Sequence, residues 1–144
     1  MDIVVDANIT VALFVNLPYS SQSERLFRFW RKQNVRLHAP ALWPAEVVSA
    51  LRKMVSVGQM GFDDARLALG SLERFPIQVA LPDSGLLELS FVWAGRLNQT
   101  VAYDAQYVAL AEKLSAEFWT ADQWLSNTLQ QLSISWAHGL GELN

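Results

Sequence analysis

Four carboxylates have surroundings that suit them for chemistry: Asp6, Glu46, Asp104 and Asp122. Asp6 closes the apolar run Ile3-Val4-Val5, where an unpaired carboxylate would be costly to desolvate. Glu46 lies in Pro44-Ala45-Glu46, Asp104 in Tyr103-Asp104-Ala105 and Asp122 in Thr120-Ala121-Asp122, each at the expected start of a helix. Acids in a first helical turn are favoured by the helix dipole, and Asp122 also suits an N-cap, so a structural role stays open for those three. A cap explains neither the apolar flank of Asp6 nor its place as the last residue of a strand. Four acids sharing one edge would repel one another and hold protons more tightly unless a cation were present. A hard divalent ion resolves that conflict. Oxygen ligands with no Cys and no paired His suit Mg²⁺ or Mn²⁺ and argue against zinc.

The elements that must position these acids follow from pattern and punctuation. Ile3-Val4-Val5 reads as a buried strand and Asn8 to Val15 as a helix stopped by Pro18. Ser20 or Ser21 caps a second helix to about Gln33, and Val35–Ala39 is a second strand closed by Pro40. Pro44 opens a helix through Val57 that Gly58 ends, and residues 62–74 form another. Ile77–Ala80 is strand three; a helix capped by Asp83 or Ser84 runs to about Leu97, and a further one spans Tyr103 to Ser115. Glu117–Thr120 is strand four, residues 122–131 a helix, and Ile134–Ala137 the last strand. Strands separated by helices need crossover connections, which give a parallel sheet covered on both faces. The fold class is α/β: a three-layer α/β/α sandwich around a mostly parallel sheet of four to five strands. Ligands of such sheets bind at the carboxyl ends of the strands, where the acids fall.

Composition bounds the rest. The 144 residues make one ordinary domain, 1–144, with no linker, repeat or low-complexity tract. A hydrophobic content of 51% excludes disorder, and the absence of Cys excludes a disulfide scaffold, thiolate metal sites and cysteine catalysis. No apolar run is long enough to span a membrane, and the first residues carry no basic segment of a signal peptide, so the expected location is the cytoplasm. Charged residues are only 17%, a low share that is compatible with apolar surface covered by a partner. The net charge of −3 hides an asymmetry: Arg25, Arg28, Arg31, Lys32 and Arg36 lie within twelve positions. That run reads first as a solvated helix face and otherwise as a stripe contacting phosphates. Arg25, Arg28 and Arg31, spaced by three, fall along one side of their helix and are the candidate contacts to a phosphate backbone. Trp30 and Phe27 suit packing against a neighbouring element better than base stacking, as do Trp43 and Trp124, and His38 and His138 read as structural or surface residues.

Taken in order, Val4-Val5-Asp6-Ala7-Asn8, Pro44-Ala45-Glu46-Val47, Tyr103-Asp104-Ala105-Gln106-Tyr107-Val108-Ala109-Leu110-Ala111 and Thr120-Ala121-Asp122 resemble the PIN-domain nuclease family. Within it the chain is most similar to the VapC-type toxins of prokaryotic toxin–antitoxin pairs, and the resemblance spans nearly the whole chain. It implies that Asp6, Glu46, Asp104 and Asp122 bind Mg²⁺ or Mn²⁺, with Asn8 beside the metal and Thr120 as the hydroxyl before the last acid. It implies metal-dependent hydrolysis of an RNA phosphodiester, leaving a 5′-phosphate and a 3′-hydroxyl, with Glu46 acting as ligand or base. Implied partners are RNA, a small antitoxin protein that plugs the acidic site, and a second copy in a homodimer. One departure is Asn127, where some members carry a further acid; it leaves open whether a second metal binds.

Three other readings stand beside this one. The first is a nuclease of the same fold that processes RNA with no antitoxin. The second is phosphotransfer through an aspartyl phosphate, since Asp6-Ala7-Asn8-Ile9-Thr10 is faintly similar to the loop of haloacid-dehalogenase-like phosphatases. Against it, Asn8 stands where the second acid should be, and Lys113 is the only late lysine. The third is a non-catalytic relative kept for RNA or protein contacts.

Overall fold

The structure is a computed structural model describing residues 1–143. Its centre is a five-stranded sheet of β1 (Asp2–Val5), β2 (Arg36–Pro40), β3 (Ile77–Ala80), β4 (Glu117–Thr120) and β5 (Ala137–Gly139). The strands run in the order β3-β2-β1-β4-β5 with every pairing parallel. Seven α-helices connect and flank them: α1 (Ala7–Val11), α2 (Ser20–Lys32), α3 (Trp43–Ser56), α4 (Phe62–Ser71), α5 (Ser84–Arg96), α6 (Tyr103–Leu114) and α7 (Gln123–Gln131). The order grows outward from β1 in one direction through β2 and β3, then reverses to β4 and β5. The carboxyl ends of β1 and β4 therefore flank the switch point where open α/β sheets form a crevice.

Strand pleating divides the core in two. Val4, Ala39 and Phe118 point to a large cluster with residues of α3, α5, α6 and α7, while Ile3, Val5 and Leu37 point to a smaller one with Leu26 and Trp30 of α2. Burial on both sides explains the unbroken apolar run of β1. Trp30 is packed edge-on against Phe27 and Trp119, and Trp43 is buried with its indole N–H donating to Thr10 Oγ1, so Trp30, Phe27 and Trp43 serve the core. Trp124 is half-exposed at the rim. His38 accepts or donates at 2.8 Å with Asp2, and His138 stacks on Trp119; both are structural.

Most element ends, such as those of β2, fall within about one residue of the sequence expectation, and three elements depart further. The first helix ends at Val11 rather than Val15, because the chain tightens into turns and the Val15 carbonyl accepts instead from Ser20 Oγ at 2.9 Å. The helix expected over 62–74 ends at Ser71 and closes through a 3₁₀ turn at Leu72–Arg74 before Pro76. The last strand is Ala137–Gly139, not Ile134–Ala137. Ser133 adopts a left-handed conformation and the Ile134 N–H returns to Leu129 O to finish α7, so Ile134 to Trp136 form a turn whose apolar side chains still reach the core. Among the described residues no helix is long and apolar enough to cross a membrane.

Candidate active site

Asp6 follows β1 directly. Its N–H donates to Trp119 O at 3.0 Å, continuing the β1–β4 ladder by one residue and bringing Asp6 beside Thr120. Asp6 occupies the N-cap position of α1, yet its side chain makes no capping bond. Instead its Oδ2 accepts from the buried Thr120 hydroxyl at 2.8 Å. The same Thr120 Oγ1 accepts from the Asp122 N–H at 3.0 Å and from Asn8 Nδ2 at 3.3 Å. Asn8 Oδ1 in turn accepts from the Ala121 N–H at 3.0 Å. Asn8 and Thr120 thus tie the start of α1 to the end of β4. Asp122 fills the structural role open to it: its Oδ1 caps α7 by accepting from Leu125 N–H at 3.0 Å, and its other carboxylate oxygen takes no part in the cap.

Glu46 and Asp104 are brought in by the first turns of α3 and α6. Each is gripped by a neighbour. The Tyr107 hydroxyl donates to Glu46 Oε1 at 2.6 Å, and the Gln99 side-chain amide donates to Asp104 Oδ2 at 2.9 Å. Asp6, Glu46 and Asp104 line one cleft of about 320 Å³ together with Asn8, Tyr19 and Lys53. A larger hollow of about 480 Å³ lies elsewhere, against α2 and the chain's end, and is apolar with no cluster of perturbed acids. The smaller cleft holds the titratable groups that burial has disturbed, and it is the candidate site.

The electrostatics are those of crowded acids. Burial, reinforced by the charges of Asp104 and Glu46, pushes Asp6 up to about 7 despite the opposing Thr120 hydrogen bond. Glu46 is raised by burial and then by Asp104, with the Tyr107 hydrogen bond acting against the shift. Asp104 is raised by burial and by the charge of Asp122, with Gln99 opposing. The Tyr19 hydroxyl is made less acidic by burial and by Asp6 and Asp122. These mutual influences link all four acids into one field of surplus negative charge.

Such a field suits a hard cation. Among the described residues no three acids or imidazoles converge closely enough to enclose one unaided. Mg²⁺, however, keeps several of its waters and needs only one or two direct carboxylates, so acids spaced around a cleft fit an ion held partly through water. The donors are all oxygens, and Asp6, Glu46 and Asp104 hold their protons more tightly than usual because burial and neighbouring acids disfavour their charged forms.

Not every expected site residue gathers here. Arg25 donates to Leu143 O and lines the apolar hollow, Arg28 faces Glu24 at the surface, and Arg31 borders a shallow depression with Asn34 and Pro76; none of the three lines the carboxylate cleft. Asn127 accepts from Gln123. Lys113 pairs with Asp83, away from the acids. Four residues of the site went unrecognised in the sequence as site residues: Tyr19, Lys53, Gln99 and Tyr107. Tyr107 lies within the motif that carried the resemblance and one helical turn after Asp104, a spacing that puts both on one side of α6. The other three sit in segments without a motif.

A wound parallel sheet with Asp6, Glu46 and Asp104 in one cleft at its switch point, and Asp122 outside that lining, defines an α/β protein with an acidic cleft. The chain belongs to the PIN-domain family, whose model covers residues 4–136. Ribonuclease VapC9 of Mycobacterium tuberculosis is 38% identical over 128 residues, 89% of this chain and 91% of that protein. Ribonuclease VapC3 of Pyrobaculum aerophilum is 35% identical over 133 residues, 92% of this chain and 98% of that protein. The fold also agrees with solved structures. A crystal structure of a Pyrobaculum aerophilum protein superposes with a TM-score of 0.69 at 23% identity, covering 99% of this chain and 92% of that one. The VapBC2 complex of Rickettsia felis bound to promoter DNA gives 0.68 at 10% identity, covering 96% and 98%.

Proposed function

We propose that residues 1–144 act as one endoribonuclease domain, dependent on Mg²⁺ or Mn²⁺, that hydrolyses RNA phosphodiester bonds as the toxin of a toxin–antitoxin pair. The observation that carries this reading is the placement of Asp6, Glu46 and Asp104 in one cleft, each with its proton affinity raised by burial and by another acid. Kinship with proteins named VapC ribonucleases supplies the substrate class.

The ion would be held by Asp6, Asp104 and Asp122, with Glu46 reaching it directly or through water. When bound, it supplies activation of water near neutral pH and screening of charge on the phosphate and leaving oxygen. The chain's own residues prepare that chemistry. Thr120 fixes the Asp6 carboxylate and Gln99 the Asp104 carboxylate, which removes rotamer freedom before substrate arrives. Glu46, steadied by Tyr107 and weakened as an acid by burial, takes a proton from the attacking water.

An antitoxin as partner is supported by the VapBC complexes that share this fold. A homodimer is supported by exposed apolar side chains on the outer face of α5, Leu87 and Phe91, and by Val79 on the edge strand β3. RNA in the cytoplasm is the substrate pool.

The test is cleavage of total RNA and a transfer-RNA pool by the purified chain and by Asp6→Asn, each with Mg²⁺, Mn²⁺ or EDTA. Discrete fragments that require metal and disappear in the variant are expected. Absence of cleavage by folded, antitoxin-free protein under every metal would leave a binding module as the reading.

A further inference from the structure

Helix α3 carries two charges into the cleft, Glu46 and Lys53. They are seven residues apart, two helical turns, which places them on one side of the helix and about 10 Å apart along its axis. Ala50 lies between them on the cleft wall, and Met54 continues that wall beyond Lys53. Among the described residues Lys53 is the one cation lining the cleft and takes part in no ion pair, although Asp6, Glu46 and Asp104 share that cleft.

An RNA strand entering this cleft is repelled by the acids. A divalent ion at the acids offsets that repulsion most strongly for the phosphate under attack and less for the next phosphate along the strand, which gains from a positive charge of its own. The three arginines of α2 do not line the cleft, so they do not meet that need. We infer that Lys53 forms a subsite for the phosphate flanking the scissile one, an inference that rests on the ribonuclease reading above. A flexible ammonium on an exposed helix side accepts any sequence, so the subsite sets register along the backbone and not base choice.

The test measures binding and turnover separately. Binding of a fluorescein-labelled RNA oligomer, and of single-stranded DNA of the same sequence, is followed by anisotropy across a salt series. Asp6→Asn serves as the background so that no strand is cut, with Lys53 intact or as Lys53→Ala or Lys53→Arg. Lys53→Ala weakens binding of both strands by roughly tenfold, and the slope of affinity against salt falls by about one counterion. Lys53→Arg restores most of the affinity. In the otherwise wild-type chain, Lys53→Ala raises KM more than it lowers kcat, and thermal melts establish that the fold is retained. Unchanged affinity and salt slope in Lys53→Ala, with RNA still cut by the wild type, overturn the subsite alone. If the wild type neither binds nor cuts RNA, the ribonuclease reading and the subsite fall together.

Discussion

The Tyr107 hydroxyl donates to Glu46 Oε1 at 2.6 Å, joining two helices across 61 positions of sequence. Tyr107 is fully buried and its ring packs near Phe118 of the central sheet, so Glu46 is anchored to the core of the fold. Removing the hydroxyl with Tyr107→Phe keeps the ring and deletes the donor. Because that bond lowers the Glu46 pKa, its loss raises it further. The expected result is a roughly tenfold lower cleavage rate and a pH profile displaced upward, with stability reduced by about 1 kcal/mol. A pH–rate profile identical to that of the wild type would detach Tyr107 from the chemistry.

Thr120 Oγ1 has three partners, Asp6, Asp122 N–H and Asn8, and is completely buried. Thr120→Val preserves shape and leaves a buried carboxylate and a backbone N–H without that partner, at a cost of about 1–3 kcal/mol. Thr120→Ser retains the hydroxyl and loses little. Urea unfolding of the three proteins at neutral pH checks the order.

Asp6 makes metal-free stability depend on pH. Its pKa rises from 3.8 to about 7 on folding, so the folded chain holds this proton more tightly than the unfolded one. The stability gained from that proton is complete below about 4 and is lost as pH climbs to about 7, with a limit of about 4 kcal/mol for a shift of this size. In EDTA the chain should therefore weaken from pH 4 to 7, while Asp6→Asn shows a shallower dependence and is the more stable protein at pH 8. Added Mg²⁺ should restore the wild type at pH 8 and not the variant. Chemical unfolding at several pH values reads this out, and parallel curves for the two proteins would contradict it.

Gly139 ends β5 against α7. A Cβ there would lie 2.6 Å from Ser126 Oγ and 2.8 Å from Ser126 Cβ. The backbone at Gly139 is ordinary extended chain, so the demand is for space and not for conformation. Gly139→Ala should cost about 1–3 kcal/mol through overpacking. The cost should largely vanish in a Ser126→Gly background, a coupling that a double-mutant cycle on melting data measures directly.

The fold was legible where local signals and burial agree. The β-branched run of β1 is apolar throughout because both faces of a central parallel strand are covered, and Pro44 marks the start of α3 because a first helical turn has no use for its missing N–H. The last strand was misplaced because Ile134 and Trp136 are apolar for a different reason: they fill the core from a turn while their backbone finishes α7. Apolar pattern reports burial, and burial does not always mean a strand.

By itself the sequence determined the acids, their positions at element ends and the absence of cysteine as nucleophile or soft ligand, since these depend on residue type and local spacing. Only the tertiary structure decided what stands around them. The parallel pairing of β1 with β4 sets Thr120 against Asp6, the crossing of α3 and α6 sets Tyr107 against Glu46, and the loop before α6 sets Gln99 against Asp104. The same packing turned Arg25, Arg28 and Arg31 away from the cleft and left Lys53 in it. Helical spacing says which residues share a side of one helix. Which side meets the site depends on burial summed over the whole chain, and no local segment contains that information.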